Sequence, residues 1–351
     1  MARENQLIER VHRRFPTSES GLRVGIGDDA AVLHLRRGVE WVITTDAFLE
    51  NVHFLRKAHP PDSAGYKALA RATSDVAAMG ARGRYFFLTL GLPAECTGKW
   101  LDAFLSGMAR AARRFGLVLA GGDTTRYPLV VSSLTVLGEV DSGKAILRSG
   151  ARPGDLICVS GRLGEAELGL RLVQTGAGSA GSGLYSQPGQ GWSLQNKRLH
   201  KHRRWAKLAK KHLYPEPRLA LGEWLAANRL ATSMIDISDG LSTDLRHICR
   251  ASRVGARIWT QKIPAVRIPP GVLLRGLNPL EMALHGGEDY ELLFTVPKKL
   301  ADRLPKKLRG VPLTVIGEIT RSKEVVVVDE RGRTKPFQPQ GWDPFRKQSR
   351  K

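Results

Sequence analysis

Apolar and polar positions change period several times along the first 140 or so residues. Two short apolar runs, 22–26 and 41–44, read as strands. A helical period then passes through Tyr66, Leu69, Ala70, Thr73 and Ala77, with Asp62 placed to cap it. A strand over 85–90, a helix over about 98–115, and strands over 117–120 and 129–137 follow. That order predicts an α+β layer, with helices on one face of a mixed sheet. At the very start Leu7, Ile8, Val11 and Phe15 share one face of an amphipathic helix.

The Pro/Gly break in ARPGD (151–155) marks the expected boundary between two domains, 1–148 and 149–351. Beyond it a strand over 156–160 runs through a glycine-punctuated turn into a helix from Glu165. A helix over 217–228, a strand over 233–237 and a helix over 241–252 come later. Between them lies a Gly/Ser-rich stretch and then NKRLHKHRRWAKLAKKH, read together as a basic insertion at about 175–215.

Composition narrows the class. The chain has 351 residues, long for one hydrophobic core, and its 42% hydrophobic content excludes a mostly disordered chain. Three cysteines without CxxC spacing exclude a disulfide scaffold and fit a reducing cytoplasm. No apolar run approaches the roughly 18 residues of a membrane span, so no membrane partner is expected. A net charge of +22 invites a polyanion, and the densest run, 197–212, is the candidate for nonspecific contact. No aromatics are interleaved on a strand as an RNA-binding sheet requires.

Acids are scarce, which makes their placement informative. Aspartates stand at the end of an apolar strand beside Gly, Ser or Thr in GIGDDAA (Asp28, Asp29), VITTDAF (Asp46), LAGGDTT (Asp123) and MIDISDGLS (Asp236, Asp239), while Asp75 falls in a helical pattern. Any one could be a cap or an Asx turn. Together they are hard oxygen donors of the kind Mg²⁺ takes one or two at a time, which points to several ions on an anionic, phosphate-bearing substrate. Gly121 and Gly122 could let backbone amides face an anion or could simply serve a turn. GEVDSGKA lacks the hydroxyl that follows a P-loop lysine and reads as a hairpin turn at 141–143; protein-kinase signatures are absent.

These blocks, with TTDAFLENVHF, YKALARATSDVAAMGA, LRSGARPGD, PRLALG, GGEDYELLF and GWDPF, occur in the order found in thiamine-monophosphate kinases. The chain therefore resembles that family, part of the aminoimidazole-ribonucleotide-synthetase-like superfamily, over nearly its whole length. The resemblance implies a two-domain α+β fold whose N-terminal mixed sheet forms a barrel across a homodimer, with a C-terminal α/β domain. It implies ATP-dependent phosphorylation of thiamine monophosphate to thiamine diphosphate in the cytoplasm, with several Mg²⁺ ions. Carried over by position, Asp29, Thr44, Thr45, Asp46, Asp75, Asp123, Asp236 and Asp239 are expected at metal ions, Asp28 matching less well. Gly122, Asp123, Arg148 and Ser238 are expected at the nucleotide, with Arg148 as a phosphate clamp. His53, Glu288 and Trp342 are expected at thiamine monophosphate. No residue is expected as a general acid or base. The alternatives are another ATP-using enzyme of the superfamily, such as a hydrogenase-maturation relative, and a polyanion-binding protein on a decayed scaffold.

Overall fold

The computed structural model describes residues 13–15, 22–24, 32–33, 37–177, 203–268 and 276–342. Asp28, Asp29, most of the N-terminal helix pattern and residues 197–202 lie outside them; Phe15 is buried edge-on against Phe86 at 5.8 Å. The chain packs as two compact units, one of 1–145 with 171–227, the other of 146–170 with 228–351.

The first unit begins with the strands β1 (Leu22–Val24) and β2 (Val32–Leu33), which pair antiparallel. There follow β3 (Val39–Leu49), α1 (Pro61–Ala78), β4 (Arg82–Leu92), α2 (Lys99–Phe115), β5 (Val118–Arg126) and β6 (Val131–Asp141). The four long strands form one mixed sheet in the order β3-β6-β4-β5, with only β4 and β5 parallel. Helices α1 and α2 cover it, burying Leu69, Val76, Phe104 and Met108 with Phe86, Leu88, Leu134 and Val136 of the strands. α2 stops at Gly116, which takes the left-handed φ of 70° that suits a helix C-terminus.

Three expectations are corrected here. Pro60, not Asp62, is the N-cap of α1; Asp62 sits in the first turn, where Tyr214 Oη (2.9 Å) and Arg110 Nη2 (3.0 Å) donate to it. The turn after Asp141 is closed by Lys144 N donating to Asp141 O at 2.9 Å, but no strand returns from it, so it is not a hairpin. Asp46 and Asp123 lie inside long strands and not at strand ends.

The helices α3 (Glu165–Ala177), α4 (Arg203–Leu213) and α5 (Leu219–Ala227) come next in the chain. In the first unit, α4 turns Leu208, Ala209, His212 and Leu213 inward and leaves Lys207 and Lys210 exposed. His212 Nε2 lies 3.1 Å from Nε2 of the buried His59, and Lys67 of α1 reaches the same ring at 3.4 Å. Much of the segment placed after the boundary by sequence thus belongs with the N-terminal strands, because its buried partners are some 150 residues earlier.

The second unit holds β7 (Asp155–Ser160), β8 (Ser233–Asp236), α6 (Leu241–Ser252), β9 (Gly255–Trp259), α7 (Pro279–His285), β10 (Leu292–Pro297), β11 (Lys307–Leu308), β12 (Val311–Thr320), β13 (Val325–Val328) and β14 (Thr334–Pro336). Seven of these strands lie in the order β14-β13-β9-β12-β7-β10-β8, with β11 on β12. α6 packs on a core that includes Ile157, Val159, Ile235, Leu245, Ile248 and Leu293. Among the described residues, no helix is long and apolar enough to cross a membrane.

Candidate active site

In the first unit the alternation of β3 turns Thr44 and Asp46 toward α1. Thr44 Oγ1 donates to Asp75 Oδ2 at 2.6 Å. Arg71, one helical turn before Asp75, grips Asp46 with two bonds, Nε to Oδ2 at 3.1 Å and Nη2 to Oδ1 at 3.3 Å. Thr45 points the other way, its hydroxyl 2.5 Å from that of Thr135. Strand register places Asp46 in one row with Leu134, Leu88 and Gly122; Asp123 falls in the next row, with Ala47, Ser133 and Thr89. Two strands therefore separate Asp46 from Asp123.

Gly122 has a structural reason of its own. A Cβ there would overlap the carbonyl oxygen of Leu88, where β4 and β5 come together beside a register shift. Its φ is not left-handed. Beside it Asp123 is exposed, and the Thr124 hydroxyl is buried with no hydrogen-bond partner. His53 follows β3 in a turn; its Nδ1 accepts from Leu49 N at 3.0 Å and its ring stacks on Phe48.

In the second unit the site gathers where β8 and β10 run out. The buried Asp236 ends β8 and Ser238-Asp239-Gly240 leads into α6. Asp244, in the first turn of α6, reaches back so that its carboxylate accepts from Asp239 N (3.2 Å) and Gly240 N (3.0 Å). Burial above all, then the nearby Asp236 and Asp239, drives the Asp244 carboxyl well above the usual range. Carboxylate oxygens of Asp239 and Asp244 and a ring nitrogen of His247 lie within 4.8 Å of one another. Burial and then the charge of Arg148 lower the His247 pKa. Arg148 itself is exposed, its carbonyl accepting from Ser252 Oγ at 3.2 Å.

Two further segments close on the same turn. Glu288 N donates to Ser238 O (2.8 Å) and Tyr290 N to Ile237 O (2.9 Å), so the ladder of β8 and β10 continues past both strand ends. Trp342 N donates to Asp239 O at 3.0 Å. Gly341 makes that approach feasible, because a Cβ there would overlap the same carbonyl oxygen. Ser238, Asp239, Glu288 and Trp342 are thereby gathered on one turn, with Trp342 47% exposed and free to meet a ligand.

Arg71 and Asp244 join the site beyond the residues expected from the sequence. The first stands four residues before Asp75 on a helix, and the second five after Asp239 at a helix start; both spacings are visible in the sequence.

Family models described as AIR synthase related protein, N-terminal domain, and AIR synthase related protein, C-terminal domain, match residues 27–140 and 152–330. Thiamine-monophosphate kinase of Escherichia coli K12 is 38% identical over 97% of this chain and 98% of its own length. The chain belongs to the thiamine-monophosphate kinase family. A solved thiamine-monophosphate kinase from Stenotrophomonas maltophilia shares 37% identity at a TM-score of 0.76, covering 92% of this chain and 95% of its own. A structure described as AaThiL complexed with AMPPCP and TMP shares 30% identity at a TM-score of 0.71, covering 91% and 92%.

Proposed function

We propose that this chain transfers the γ-phosphoryl group of ATP to thiamine monophosphate, giving thiamine diphosphate and ADP. The observation that carries this reading is the turn that gathers Ser238, Asp239, Glu288 and Trp342, in a chain so similar along its length to thiamine-monophosphate kinases. The acceptor is itself a phosphate monoester whose second pKa lies near about 6, so it is largely a dianion at neutral pH. It needs no base to remove a proton. The chain's work is to bring two polyanions into line and offset their repulsion.

The oxygen donors fit Mg²⁺. Asp75 with Thr44, Thr45, Asp123 beside the unpartnered Thr124 hydroxyl, and Asp236 with Asp239 are hard ligands, and the strands between Asp46 and Asp123 favour separate ions over one shared ion. Asp29 matches the same set by position. Asp46 keeps acceptor capacity despite Arg71, since a carboxylate offers about four lone-pair sites. Bound there, Mg²⁺ would neutralise phosphate charge. Gly122, Asp123, Ser238 and Arg148 are assigned to the nucleotide, Arg148 supplying a permanent positive charge. His53, Glu288 and Trp342 are assigned to the acceptor, with the indole face against its cationic thiazolium. The enzyme works in the cytoplasm as a homodimer whose N-terminal sheets complete a barrel, and the lysines of α4 are left for nonspecific polyanion contact.

Asp46→Asn and Asp123→Asn test the metal assignment. Each is expected to cut turnover by orders of magnitude with an unchanged circular dichroism spectrum; normal turnover in either would sink it.

A further inference from the structure

The segment 286–291 carries an unusual backbone. Glu288 and Tyr290, neither of them glycine, adopt left-handed φ values of 64° and 49°. Such residues persist only where their surroundings over-determine them. Between them sits Asp289, whose carboxyl is buried while the residue as a whole is partly exposed. Its Oδ2 accepts from Gly164 N at 2.6 Å and its Oδ1 from Ala166 N at 3.0 Å. Gly164 immediately precedes α3 and Ala166 lies in its first turn, so the carboxylate caps a helix and fastens the strained segment to it at once. The next residue but one is fastened too. Ser160 Oγ donates to Glu291 Oε2 at 2.5 Å and accepts from Leu292 N at 2.9 Å.

We propose that Asp289 is a positioning residue for the acceptor: by holding the start of α3 it fixes the left-handed backbone of Glu288 and so sets where that side chain meets thiamine monophosphate. This rests on the function proposed above. The anchors of Glu288 include its own amide on Ser238, the Tyr290 amide on Ile237 and the Asp289 carboxylate at the start of α3. Without the carboxylate, the backbone between the two amide bonds relaxes toward ordinary φ and the Glu288 side chain shifts away from Asp239 and Trp342. Of the residues assigned to the nucleotide, Ser238 touches this segment through its backbone carbonyl, and its turn stays held by Asp244.

The test compares wild type with Asp289→Asn and Ala166→Pro. The amide of Asn turns a donor toward one of the two N–H groups; proline deletes the Ala166 donor from the opposite side while suiting a first helical turn. In both, KM for thiamine monophosphate should rise about tenfold or more, at 1.4 kcal/mol per tenfold, while KM for ATP stays within about twofold and kcat within about threefold. Hydrogen exchange should quicken at the amides of Gly164 and Tyr290. A purely structural role would lower the active fraction and leave both KM values alone. That result, equal rises in both KM values, or unchanged exchange overturns the proposal. Should one variant fail to fold, the other decides. Absence of acceptor-dependent turnover in wild type would instead overturn the proposed function, and exchange in the variants would still report on the anchor.

Discussion

Gly341→Ala would place a methyl group where the Asp239 carbonyl oxygen now lies, within 2.7 Å of Thr243 Oγ1. The Thr243 hydroxyl can rotate, but the Asp239 carbonyl cannot step aside, since it belongs to the turn held by Asp244. The segment at 341–342 must therefore lift off. It loses the 3.0 Å bond from Trp342 N to Asp239 O, a net loss of about 1 kcal/mol. It also takes the indole away from the acceptor, a stacking contact of about 0.5–2 kcal/mol. Together these come to about 1.5–3 kcal/mol, or roughly 10- to 150-fold in the KM for thiamine monophosphate. Trp342→Ala leaves the backbone bond in place and should cost only the stacking part, roughly 2- to 30-fold. Steady-state kinetics with each substrate varied in turn separates the cases. The KM for ATP should hold within about twofold in both variants. An unchanged KM for thiamine monophosphate in Gly341→Ala, or an equal rise for ATP, would refute the placement of Trp342 by this contact.

Arg71→Met should lower kcat by at least about tenfold by freeing the Asp46 carboxylate to rotate, a positioning loss, with a melting temperature near that of wild type; a kcat equal to wild type would show that the Arg71 grip has no catalytic consequence. The Asp289 carboxyl, pushed up from 3.8 to about 7 chiefly by burial, gives stability a pH dependence. Between those values the folded state holds a proton that the unfolded state has released, so stability falls as pH rises and levels off above about pH 7. The urea midpoint of wild type, relative to Asp289→Asn, should decline from pH 5 to 8; a relative midpoint that rises or stays flat contradicts this reading.

Much of the fold was legible because periodicity reports burial. The helix through Tyr66 and Ala77, the helix over 241–252 and the strands on either side of the Pro/Gly break all appear where the pattern put them. The aspartate blocks marked the site for another reason: in each, an acid stands beside Gly, Ser or Thr with no Lys or Arg next to it. What escaped depends on partners far apart in sequence. Asp62 looked like a cap because its partners, Arg110 of α2 and Tyr214 just beyond α4, are far away in sequence. GGDTT looked like a strand end because two glycines suggest a turn, whereas Gly122 makes room for the Leu88 carbonyl inside a sheet. Helices α4 and α5 looked like part of the second domain, but both fall in the first unit, where His212 of α4 meets His59. The partners of Asp289 are backbone amides, which have no letter in a sequence.

The most direct test is transfer of label from γ-labelled ATP, in the presence of Mg²⁺, with and without thiamine monophosphate. Label should appear in the terminal phosphate of thiamine diphosphate, in equal amount with ADP and only when the acceptor is present. ATP bound with no label passed to thiamine monophosphate would contradict the proposed reaction and move the acceptor elsewhere.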